Sequence, residues 1–112
     1  MLLLTVAETT LYTTKSERYF DDDERRAIVD FLSSNPTAGP LIRGTGGVRK
    51  LRWARSGGGK SGGVRIIYYF HSEQMPLWLL TLFAKNEQED LSSEERKTLR
   101  ALVDTLVTEA GR

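Results

Sequence analysis

Seven cations stand in one stretch of this chain with no acid among them. From Phe31 to Ser72 the sequence carries Arg43, Arg49, Lys50, Arg52, Arg55, Lys60 and Arg65, and no Asp or Glu. The other nine Lys and Arg residues are outnumbered by all 15 acids, so a net charge of only +1 conceals a strongly basic segment. Guanidinium groups stay charged at any physiological pH and fork onto phosphate, and ammonium groups add point charges. A segment of this kind is an electrostatic footprint for a polyanion, with nucleic acid the first candidate. The seven side chains are expected to lie mostly exposed on one concave, electropositive surface.

Spacing sharpens the picture. In Val48 to Arg55, read as a strand, Lys50 and Arg52 share one face while Leu51 and Trp53 take the other. In the strand from Val64 to Phe70, Arg65, Ile67 and Tyr69 share a face, and Tyr68 and Phe70 lie opposite. A third apolar run ends in Phe83-Ala84-Lys85-Asn86. Brought to one end of a sheet, these residues would supply cations for phosphates and an aromatic surface, from Tyr68, Tyr69 or Phe83, for stacking bases. Arg65 is set in an otherwise apolar strand. A buried cation needs a partner, and the acids concentrate at two helix starts, away from the basic strands.

Other chemistries fit poorly. The chain has no cysteine, which excludes a thiolate metal site and a disulfide scaffold; its one histidine, His71, is a poor metal ligand by itself, the sequence offers no recognisable Ser-His-Asp triad, and no metal or other cofactor is expected. Ala54-Arg55-Ser56-Gly57-Gly58-Gly59-Lys60-Ser61 has the spacing of a relaxed phosphate-binding loop. Such a loop must open a helix, and here Gly62-Gly63 and a β-branched, aromatic strand follow. A DNA-reading helix-turn-helix is disfavoured because the positive charge sits on strands and loops. Met1 to Val6 is apolar but short, lacks a basic start and is followed by Glu8, unlike a signal peptide. No run approaches the ~20 apolar residues of a membrane span, so the expected location is the cytoplasm.

The elements that must position these residues are legible. At 112 residues, the chain suits one domain, here residues 1–112. Leu2 to Val6 reads as a short strand, and Leu11 to Tyr19 is compatible with a short helix. Asp21 and Glu24 start a helix in the manner of a capping box, with Ala27, Ile28, Phe31 and Leu32 as its apolar face, and Asn35-Pro36 stops it. Eight of the ten glycines fall between Gly44 and Gly63 and punctuate the strands. Leu77 to Ala84 is nearly all apolar, as in a central strand covered on both faces. Ser92 and Glu95 make a second capping box before a helix bearing Leu99, Leu102, Val103, Leu106, Val107 and Ala110. The order predicts an α+β fold, with a small, mostly antiparallel sheet and its helices packed on one face.

Three segments together resemble the signature of RelE/HigB-type toxins, nearest the HigB-like branch. They are Gly44-Thr45-Gly46-Gly47-Val48-Arg49-Lys50-Leu51-Arg52, then Gly59-Lys60-Ser61-Gly62-Gly63-Val64-Arg65-Ile66-Ile67-Tyr68-Tyr69-Phe70, then Leu80-Thr81-Leu82-Phe83-Ala84-Lys85-Asn86-Glu87. The resemblance implies a RelE-like fold and ribosome-dependent cleavage of messenger RNA in the decoding site of the 70S ribosome. It also implies a cognate antitoxin, expected to carry a helix-turn-helix DNA-binding domain. By motif, Lys50, Arg52, Arg65 and Lys85 match the family's active-site cations. Arg49, Arg55, Lys60, Tyr68, Tyr69, Phe83 and Asn86 become candidates for contacts to RNA. Better-studied RelE members carry a second arginine and a functional tyrosine where this chain has Asn86 and Leu91, which leaves the general acid and base unassigned.

The implied chemistry uses the substrate's own 2′-OH as nucleophile. The enzyme must orient the strand, stabilise added negative charge on phosphorus and move two protons. Arg52 and Arg65 suit the charge role. Lys50, if crowded by Arg49, Arg52 and Arg65, would be a base made available by like charge. A RelE-fold protein that binds RNA or a partner without cutting is the alternative.

Overall fold

The computed structural model describes residues 4–54 and 63–111. Seven elements follow in order: β1 (Val6–Glu8), α1 (Thr10–Ser16), α2 (Asp22–Ser34), β2 (Val48–Trp53), β3 (Val64–Tyr69), β4 (Leu77–Ala84) and α3 (Ser93–Ala110). The first strand forms later than the apolar run suggests, because Val6–Glu8 is the stretch that pairs in parallel with Leu77–Leu79. Each helix starts at a side-chain cap. Thr9 accepts from the Tyr12 N–H, Asp21 from the Glu24 N–H, and Ser92 and Glu95 form the complete reciprocal box.

The sheet runs β1-β4-β3-β2, with β2, β3 and β4 an antiparallel meander. β3 and β4 are central and almost wholly buried. Successive residues of β3 enter two separate cores. Val64, Ile66 and Tyr68 pack with Tyr12, Phe20, Ile28 and Leu32 of the N-terminal half. Ile67 and Tyr69 pack with Leu91, Leu99 and Val103 around α3. Helices therefore cover both faces, not one. Two apolar central strands cannot leave a face to water, and a chain with helices before and after its strands can supply one cover to each side.

Two local features decide where the cations go. Between Ile67 and Tyr68 the register jumps from Thr81 to Leu79, a bulge that leaves Leu80 as the extra residue on β4. The bulge shifts the alternation, so Leu79 and Leu82 enter one core while Leu80 and Phe83 enter the other. Before β2, Thr45 is fully buried; its Oγ1 donates to the Ile42 carbonyl (2.7 Å) and accepts from the Val48 N–H (3.1 Å). Gly47 leaves this turn at φ +118°, where a Cβ would also meet the Tyr69 ring at 3.1 Å.

Candidate RNA-cleavage site

On the α3 side of the sheet, register places Arg52 opposite Arg65 and Arg65 opposite Phe83, a row crossing three strands. The next row contains Lys50, Ile67 and Thr81. Lys85 follows the end of β4, where its N–H donates to the Gly63 carbonyl (3.1 Å). The four expected active-site cations thus converge at one end of one face. Their exposure differs: Arg52 is exposed, Lys50 and Lys85 are half-buried, and Arg65 is only 6% exposed. Within the row, Arg65 is enclosed by packing and Arg52 faces solvent.

Acids reach this site, contrary to the sequence expectation. The β4–α3 connection brings Asp90 Oδ1 to 3.4 Å from Lys50 Nζ, and its Oδ2 lies 3.3 Å from Arg96 Nη2. Lys85 pairs with Glu89. Burial pushes the Asp90 carboxyl up, but the Leu91 N–H, Lys50 and Arg96 outweigh it and hold the carboxyl below the ordinary range. Glu89 is likewise held low, first by the Lys85 hydrogen bond and also by the charge of Arg65. Lys50 is therefore not crowded by like charge alone; its near neighbour is a carboxylate. The signal available beforehand was Asp90 itself, two residues before the Ser92 cap, but its reach to Lys50 spans 40 residues of sequence.

The remaining candidates separate. Arg49 alternates to the opposite face, where its Nη1 donates to the carbonyls of Gly39 (2.8 Å) and Thr37 (3.3 Å). Tyr68 is fully buried, and its hydroxyl donates to the Pro36 carbonyl and accepts the Gly39 N–H, both at 2.9 Å. Burial raises its pKa. Tyr69 is 5% exposed beneath α3, with its hydroxyl 3.1 Å from His71 Nδ1. Neither tyrosine offers a ring face to a base. Phe83 shares the row of Arg65 but is 4% exposed, and Asn86 is exposed in the turn beyond. Arg43 is exposed; Arg55, Lys60 and the glycine-rich loop around them lie outside the described residues. The seven-cation segment therefore does not form one exposed face: strand alternation diverts Arg49, and packing encloses Arg65.

A family model described as RelE toxin of RelE / RelB toxin-antitoxin system matches residues 14–111. The chain belongs to the RelE toxin family. A RelE toxin is the endoribonuclease of a toxin–antitoxin pair, inhibits translation and is countered by an antitoxin partner. The match spans all three helices but α1's first turn, and the whole β2–β3–β4 meander that carries Lys50, Arg52, Arg65 and Lys85. Among the described residues of this RelE toxin, no helix is long and apolar enough to cross a membrane, and no group of three His, Cys, Asp or Glu side chains could hold a metal ion.

Proposed function

We propose that this RelE toxin cuts messenger RNA in the decoding site of the ribosome, without metal, by attack of the 2′-OH on the adjacent phosphate. The observation that carries the reading is the Arg52–Arg65–Phe83 row flanked by Lys50 and Lys85. The 2′-O–P bond forms as the P–O5′ bond breaks, leaving a 2′,3′-cyclic phosphate and a 5′-OH. One proton leaves the 2′-OH and one reaches the departing 5′ oxygen. Arg65 and Arg52 stabilise the charge that grows on the phosphoryl oxygens. Lys50 and Lys85, both positioned by carboxylates, are the candidates for proton movement and for holding the flanking phosphates. Ribosomal positioning of the codon supplies the strand geometry for in-line attack. The antitoxin carries a helix-turn-helix domain in this reading, the toxin acts in the cytoplasm, and its place is in the HigB-like branch.

The test is single-turnover cleavage of a defined messenger, with 5′-end mapping, on 70S ribosomes and in their absence. Cuts confined to the occupied A site, with 5′-OH products and no loss when chelator is added to the preformed complex, are expected. Equal cutting of free messenger would refute ribosome dependence. Binding with intact 5′ ends would replace cleavage by a binding role.

A further inference from the structure

Beside the catalytic row the outer edge of β2 opens into a groove. The segment before the glycine turn runs along this edge as a partial fifth strand: the Ile42 N–H donates to the Val48 carbonyl (2.7 Å) and the Lys50 N–H to the Pro40 carbonyl (3.0 Å). Continued one step, it would bring Ala38 alongside Arg52. Instead the chain peels away, because the Gly39 N–H is given to the buried Tyr68 hydroxyl and the Gly39 and Thr37 carbonyls to Arg49. Gly39 is needed at the point of departure, where a Cβ would meet the Lys50 carbonyl oxygen at 2.8 Å. The space left is a cavity of about 320 Å³ lined by Ala38, Gly39, Pro40, Lys50, Leu51 and Arg52.

We propose that this groove is a nucleotide subsite, binding a single-stranded RNA residue next to the one whose phosphate lies at Arg65. The inference rests on the reading of Lys50, Arg52 and Arg65 as the cleavage site. Three observations converge on it. The groove has one polar side, from the exposed Arg52 and from Lys50, whose ammonium is shared with Asp90, and one small apolar wall, from Ala38 and Pro40, which suits a sugar-phosphate held mainly by Arg52 on one side and a base face on the other. Its far wall is preorganised by a fully buried tyrosine and by an arginine that faces away from the row. It also continues the row directly: β2 and β3 are adjacent, and strands lie about 4.8 Å apart. Tyr68 and Arg49 thus serve RNA binding without touching RNA, by holding Pro36–Pro40 off the sheet edge.

The test fills the groove or reverses its charge at Ala38, an exposed residue of its lining. Ala38→Glu and Ala38→Trp should unfold at the parental temperature. On programmed 70S ribosomes, each should raise the toxin concentration giving half-maximal single-turnover cleavage by roughly tenfold, with the saturating rate nearly unchanged, as for a lost ground-state binding contact. Binding to ribosomes with an empty A site distinguishes the source of the nucleotide. Weakening only when a codon is present supports the proposal, and equal weakening, which would assign the groove to ribosomal RNA, overturns it. Parental half-saturation for both variants would overturn the proposal. Arg52→Ala and Arg65→Met, run beside them, report on the underlying reading: if those cut normally, the cleavage site itself is misplaced, whereas their loss with silent Ala38 variants removes only the groove.

Discussion

Replacing Arg65 by methionine separates the chemistry of its guanidinium from the packing of its stem. Arg65 is 6% exposed and lies between Arg52 and Phe83, so its donor is held in place before substrate arrives. Removing one preorganised donor to a developing oxyanion costs about 3–4 kcal/mol, roughly a hundred- to thousandfold in rate. Arg65→Met should lose that factor while keeping the buried aliphatic stem. Glu89, whose carboxyl Arg65 helps to hold ionised, has a side chain 88% exposed, so water can replace the lost charge. Arg65→Ala also deletes two buried methylenes at ~0.8 kcal/mol each. That loss of about 1.6 kcal/mol should lower Tm by roughly 5–10 °C in a domain of this size. Arg65→Lys should recover part of the rate, since an ammonium keeps the charge but loses the fork. Thermal unfolding and single-turnover messenger cleavage on the same preparations decide the matter. A folded Arg65→Met protein that cuts near the parental rate would refute the role given to Arg65 and leave Lys50, Arg52 and Lys85 to carry the charge.

Three further outcomes follow from the same contacts. Tyr68→Phe strands the Gly39 N–H and the Pro36 carbonyl; chemical denaturation should show a loss of about 2–3 kcal/mol, with messenger affinity falling more than the saturating rate. Gly63→Ala should cost about 2 kcal/mol or more, read by the same denaturation, because φ is +72° and the new Cβ would lie 2.4 Å from the Trp53 carbonyl oxygen; cleavage should fall with it, since Arg65 follows two residues on. Asp90 has a folded pKa below its unfolded value, so its contribution to stability is present above about pH 4 and lost as pH falls through the folded pKa. Thermal melts of Asp90→Asn between pH 2 and pH 6 should therefore show less acid destabilisation than the parent, and identical pH profiles would contradict the Lys50–Asp90–Arg96 arrangement.

Local rules of the chain determined much of this protein. Capping side chains at Asp21 and Ser92, the Asn35-Pro36 stop, the glycine turn before Val48 and the apolar run from Leu77 act through neighbours a few residues away, so helices, strands and the meander are readable in order. Period-two alternation likewise put Lys50 and Arg52 on one face and Arg65 with Tyr69 on one face. Tertiary structure alone decided which of these groups meet. Charge counting merged Arg49 with Lys50, although alternation already separates them; only the fold brought Arg49 to the Gly39 carbonyl as a brace. Aromatic type suggested stacking for Tyr68 and Tyr69, but covering both faces of the sheet buried them. The bulge at Leu80 shifted the alternation of β4, a step that a single strand's pattern does not reveal. Asp90 reached Lys50 only because α3 returns across the sheet after β4, joining charges 40 residues apart that no local spacing connects.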